Sequence, residues 1–139
     1  MYLVDTNVWL ERLLDQARSE EVGQFLGAIA SDELLMSDFT LHSIGIILDR
    51  LGQRGTLPQF VDDLFVDGDL TLVSVPPQAM GHLVAQMDRY NLDFDDAYQY
   101  MAAEQAGAVI VSFDADFDRT DRGRRLPADV LAVHQGAEQ

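Results

Sequence analysis

Short apolar runs alternate with longer segments of helical spacing from one end of this chain to the other. That alternation dictates the architecture, because consecutive strands linked by helices lie parallel and need cover on both faces. Residues 1–4 are a short apolar strand. Val8, Trp9, Leu10, Leu13 and Leu14 then repeat at helical spacing behind a cap at Asp5 or Thr6. Ser19 starts a second helix with Val22, Phe25, Leu26 and Ile29 on one face, and residues 33–36 are a brief buried strand. Ser37 caps a helix running to about Gly52, and Pro58 suits the first turn of the next, which carries Phe60, Val61, Leu64 and Phe65. A strand over 70–75 precedes a helix bearing Met80, Leu83, Val84 and Met87 and closed by Asn91. Another helix runs from near Asp93 to Gly107, followed by a strand over 108–111, a single turn over 114–118, a polar loop over 119–125 and a last, edge-like strand at Val130–Val133. The expected fold is α/β, a three-layer α/β/α sandwich with a four- to five-stranded, largely parallel sheet.

With 139 residues and 47% hydrophobic content, the chain fits one domain spanning 1–139 with a real core. Cysteine is absent, which excludes disulfides, thiol catalysis and zinc–thiolate sites. No apolar run reaches membrane-spanning length and the first residues do not read as a signal peptide, so the expected location is cytoplasmic. The formal charge is −15, from 24 acids against 9 arginines, with no lysine at all. Such a surface argues against broad, non-specific nucleic-acid binding. It leaves room for a nuclease with few, local contacts and a cation-neutralised site. The missing lysine also removes Schiff-base chemistry and the phosphate-binding P-loop.

Three acidic clusters share one context. Asp5 follows the first strand, Asp95 and Asp96 open a late helix, and Asp114 and Asp116 follow the strand at 108–111. Strand ends and helix starts converge on the carboxyl edge of a parallel sheet, where open α/β folds place their sites. Gathered carboxylates repel one another and so call for a divalent cation. Each Asp taken alone also reads as a plain helix or turn cap. Asp114-Ala115-Asp116-Phe117-Asp118 imitates the start of a calcium loop, but Arg119 and Arg125 stand where that loop needs Gly and Glu. A phosphoryl-accepting receiver domain has similar size and acidity, yet its lysine has no counterpart here.

Four stretches taken in order carry a family resemblance: Leu3-Val4-Asp5-Thr6-Asn7, Ser37 with Thr40, Asp96-Ala97, and Val111-Ser112-Phe113-Asp114. The chain resembles the PIN domain, and within it the small VapC-type ribonucleases that serve as toxins of toxin–antitoxin pairs. The resemblance spans nearly the whole chain. It implies a metal-dependent endoribonuclease with Mg²⁺ or Mn²⁺ held by Asp5, Asp96 and Asp114; Asp116 lies nearby, as a ligand of a second ion or acting through water. Asn7 and Ser112 match the family's supporting polar residues. The family's acid in the middle helix is replaced by Ser43, with His42 beside it, so the pocket carries one charge fewer and metal affinity and rate are expected to fall. The implied partners are an RNA substrate, a cognate antitoxin protein and a second copy in a homodimer.

Arg119, Arg122, Arg124 and Arg125 form the only dense basic stretch and are the candidate phosphate contacts; a solvated loop balancing nearby acids is the plainer account. Trp9, Tyr90, Tyr98 and Tyr100 read as core residues before base-stacking ones. His82 and His134 read as structural or surface residues. The competing function is a non-catalytic PIN-like module that works by binding a partner protein.

Overall fold

The computed structural model describes residues 1–138. Four strands, β1 (Tyr2–Val4), β2 (Leu34–Ser37), β3 (Thr71–Val73) and β4 (Val109–Val111), form a parallel sheet in the order β3-β2-β1-β4. The pleat sends successive side chains to opposite faces. Leu3, Leu35 and Ile110 share one face and pack with Leu83, Tyr100 and Met101 of α5 (Met80–Tyr90) and α6 (Phe94–Ala106). Val4, Met36 and Val111 share the other face and pack with Val8, Trp9, Phe25 and Ile44 of α1 (Thr6–Leu13), α2 (Ser19–Ala28) and α3 (Asp38–Arg50). Each fully buried aliphatic side chain contributes roughly 1.5–3 kcal/mol, so two such clusters hold the three layers together. Trp9 is buried and donates its indole N–H to the Val4 carbonyl at 3.1 Å, which makes it a core residue.

The chain runs outward from β1 through β2 to β3, then returns to lay β4 on the opposite side of β1. That reversal creates a crevice at the carboxyl ends of β1 and β4. The residues just beyond those ends, Asp5 and Ser112, therefore face one another.

Most helix boundaries follow their local chemistry. Ser37 caps α3 by accepting from the Thr40 amide at 3.1 Å, and Asp93 caps α6 by accepting from the Asp96 amide at 2.9 Å. Asn91 ends α5 and Gly107 ends α6 in the left-handed region, at φ 55° and 63°. The segment carrying Pro58 is α4 (Thr56–Val61), which continues into a wider turn over Asp62–Val66.

The last element corrects the expectation. Val130–Val133 is not a strand but part of α7 (Pro127–Glu138), which packs Val130 against the α2 face of the core. Pro127 stands at the first helical position, and the Asp129 carboxylate accepts from the Leu126 amide at 3.2 Å, the back-reaching half of a capping box. The fifth sheet position is taken instead by one residue. Arg125 bridges β4 through its backbone, with its amide on the Ile110 carbonyl at 2.8 Å and its carbonyl accepting from Ser112 at 3.1 Å. Among the described residues no helix is long and apolar enough to cross a membrane.

Candidate active site

Asp5 leaves β1 and caps α1, so its carboxylate points back over the crevice. Its Oδ1 accepts from the Thr6 amide and from Gln99 Nε2, both at 2.8 Å. Its Oδ2 accepts from Ser112 Oγ at 2.7 Å and, more weakly, from Asn7 Nδ2 at 3.5 Å. The side chain is buried, and burial is the first cause that raises its pKa, against the lowering effect of the Gln99, Ser112 and Thr6 bonds.

Asn7 and Ser112 stitch the two strand ends together. Asn7 Nδ2 donates to Ser112 Oγ at 3.3 Å, and Asn7 Oδ1 accepts from the Phe113 amide at 3.2 Å. Ser112 Oγ also accepts from the Asp114 amide at 2.9 Å. Asp114 Oδ1 then accepts from the Asp116 amide at 2.8 Å and caps a 3₁₀ turn over Ala115–Arg119. One serine thus positions Asp5 and Asp114 together.

Asp96 enters from α6, where the Asp93 cap holds the first turn. Its carboxyl pKa is pushed up to about 8, first by burial and then by the negative charges of Asp114, Asp93 and Asp5. Oxygens of Asp96, Asp114 and Asp116 lie within 4.8 Å of one another. Asp5, Asp96 and Asp114 also line a single cavity of about 310 Å³, together with Asn7, Ser43, Asp95 and Gln99. Asp5 stands outside the tight group of three, and its two oxygens are engaged by four donors.

This donor set fits a hard divalent cation. The available ligands are carboxylate oxygens, with no nitrogen or sulfur, which is the preference of Mg²⁺ and Mn²⁺. The charges of Asp114, Asp93 and Asp5 add to burial in raising the Asp96 pKa, so a cation among these carboxylates would favour the ionised form.

The other sequence candidates fall in different places. Ser43 lines the cavity from α3, at the position where the resemblance calls for an acid. His42 does not line it and faces a neighbouring groove with Asp38, Phe39, Phe94 and Tyr98. Arg119 donates to the carbonyls of Tyr90 and Asn91 and to Asp116 at 3.0 Å. Arg122 reaches the Ala108 carbonyl, and Arg124 reaches the Ser112 carbonyl and Asp118. Arg125 lines a cleft with Tyr2 and Asp129 away from the acids. Three of these four arginines thus brace the loop that carries Asp114 and Asp116.

Gln99 escaped the sequence reading. Its amide donates to Asp5 Oδ1 and to Thr40 Oγ1 at 2.8 Å, and its carbonyl accepts from Ser37 Oγ. Thr40 in turn meets Thr6 Oγ1 at 2.9 Å. A buried polar chain therefore links α1, α3 and α6 beneath the acids. The available signal was spacing, since a residue three positions after Asp96 shares its helix face.

The family model of the PIN domain matches residues 2–123. Solved structures share the fold, three of them as follows. A VapC20 toxin from Mycobacterium tuberculosis, described as cleaving the sarcin–ricin loop, superposes with a TM-score of 0.76 at 16% identity, over 91% of this chain and 100% of that one. A toxin–antitoxin complex from Klebsiella pneumoniae gives a TM-score of 0.73 at 17% identity, over 91% and 98%. FitAcB from Neisseria gonorrhoeae gives 0.71 at 22%, over 91% and 98%. No curated protein sequence matches the chain.

Proposed function

Because the chain belongs to the PIN domain family, we propose that it is a metal-dependent endoribonuclease and the toxin of a toxin–antitoxin pair, kept in check by a cognate antitoxin. The observation that carries this reading is the convergence of Asp96, Asp114 and Asp116 within 4.8 Å at the carboxyl edge of the sheet. The toxin assignment draws on the neighbours in fold, a sarcin–ricin-loop cleaving toxin and a toxin–antitoxin complex.

In this reading Asp96, Asp114 and Asp116 hold Mg²⁺ or Mn²⁺, and Asp5 adds its charge from below. The cation supplies charge neutralisation at the phosphate and an activated water, the two things phosphodiester hydrolysis most needs. The protein's own contribution is placement. Ser112 and Asn7 fix Asp114 relative to Asp5, and the Asp93 cap fixes Asp96, so the carboxylates need not reorganise when substrate arrives. Arg119, next to Asp116 at the rim, is the arginine of this reading that meets the phosphate.

The test is cleavage of a panel of structured and single-stranded RNAs with Mg²⁺ or Mn²⁺. Asp96→Asn and Asp114→Asn should each lower kcat about 10²–10³-fold, the scale of a lost electrostatic group. An inert wild-type protein, or variants that cut as well as wild type, would refute it.

Ser43 favours a second reading, a non-catalytic module that binds a partner protein, because a neutral hydroxyl faces the cavity where the resemblance calls for a carboxylate. Calorimetry separates the two: absence of Mn²⁺ binding at millimolar concentration supports the second.

A further inference from the structure

Beside the acidic cavity lies a groove of about 430 Å³ lined by Asp38, Phe39, His42, Phe94 and Tyr98. Three of its five residues are aromatic, and they form one continuous cluster. Tyr98 lies 6.0 Å from Phe39 and 6.1 Å from Phe94 between ring centroids. Tyr98 is held at its polar end, where the hydroxyl donates to Asp38 Oδ1 at 2.8 Å and accepts from the Val75 amide at 3.0 Å. Phe94 by contrast is 46% exposed, although it sits in the first turn of α6 only two residues before Asp96. Phe39 lines both the groove and the acidic cavity, so the two spaces adjoin.

An exposed aromatic ring beside a fixed one makes a stacking platform, and every nucleobase has a face to offer it. Charge supplies little of the grip on a polyanion here. The chain carries −15, and Arg122 and Arg124 are spent on carbonyls and Asp118. We propose that the Phe39–Tyr98–Phe94 groove is a base-binding subsite, which stacks an unpaired nucleobase of the RNA next to the phosphate seated over Asp96 and Asp114. The inference rests on the ribonuclease reading and adds to it a stacking contact for one splayed base beside the cut. His42 and Asp38 at the groove wall offer polar contacts to the edge of that base.

The test uses a fluorescein-labelled single-stranded oligoribonucleotide and copies with an abasic site at each position in turn. Phe94→Ala should raise KM about tenfold, with the loss falling in KM rather than kcat, and Phe94→Trp should restore it. One abasic position flanking the cut should cause the same loss in the wild type and no further loss in Phe94→Ala. An unchanged KM in Phe94→Ala, or fully additive losses, overturns the subsite. So does a Phe94→Ala protein that grips RNA normally but no longer binds its antitoxin, since the groove would then be a protein-docking face. Should the wild type leave every oligonucleotide intact, the nuclease reading falls separately. The subsite is then judged by fluorescence anisotropy with the same RNAs: binding weakened about tenfold by Phe94→Ala upholds it, and no binding, or binding indifferent to Phe94, overturns it.

Discussion

Asp96 and Gln99 sit three residues apart on α6 and divide the labour of the site between charge and scaffold. For Asp96 the folded pKa is about 8 against an ordinary 3.8, so between those values the folded protein holds a proton that the unfolded chain has released. Stability from this group is therefore intact below the unfolded value and is lost as pH climbs toward 8. Thermal melts in chelator at rising pH should fall across that window, and Asp96→Asn should flatten the fall. Added Mn²⁺ should reverse the trend, because metal and proton compete for the same oxygens. Gln99 carries no charge, yet Gln99→Leu would strip partners from Asp5, Thr40 and Ser37 at once. We expect a loss of about 1–3 kcal/mol in urea denaturation. A variant as stable as wild type would show that water replaces the amide. Asp5, Asp96 and Asp114 could be picked out from sequence because each stands at a strand end or helix start. Gln99 offered only its spacing from Asp96, since its importance comes from the partners it meets on other elements.

At the level of elements, the cap of α6 is the joint that aims Asp96. Asp93 holds the Asp96 amide at 2.9 Å, and its charge also presses on the Asp96 carboxyl. Asp93→Ala should cost about 1 kcal/mol of stability and loosen the turn that aims Asp96, read as weaker Mn²⁺ binding in calorimetry. Unchanged metal affinity would mean the turn is held by tertiary packing alone. Most element types were legible because apolar spacing and capping residues agreed with each other, as at Ser37, Asn91 and Gly107. Residues 127–138 were misread for a physical reason. Val130-Leu131-Ala132-Val133 is an apolar run too short to separate strand from helix, and β-branched Val suggests a strand. Pro127 and Asp129 held the better signal, since Pro at the first helical position followed by an acid at the third marks a helix start. Nothing local announced that Arg125 alone would pair with β4; that follows from the open edge it meets.

Across the whole molecule, the charge and the pairing of the arginines set how the protein meets a nucleic acid. Arg54 and Arg89 pair with Asp49 and Asp121, and Arg119, Arg122 and Arg124 are tied to the Asp114 loop. Arg50 lines a groove with Phe39 and Ser43, which makes it, beside Arg119, a second candidate phosphate contact. With about two phosphate contacts available, the slope of log affinity for single-stranded RNA against log salt should be no steeper than about −1.5. A steep slope would reveal a basic face formed in some larger assembly. The parallel α/β character of the chain, and with it a site somewhere on the carboxyl edge of the sheet, could be argued from the alternation of elements. The order of the strands, which is what makes that crevice, is a global property and became visible only with the fold.

Asp5 terminates a strand, begins a helix and anchors a buried polar lattice, all with one side chain. On the toxin reading, a screen for harmless alleles would therefore return changes at that position for two unrelated reasons, collapsed architecture and silenced chemistry. On the nuclease reading Asp116, half-exposed on its short turn and with its carboxylate paired to Arg119 rather than to the buried lattice, is the sounder choice for a folded but inactive control.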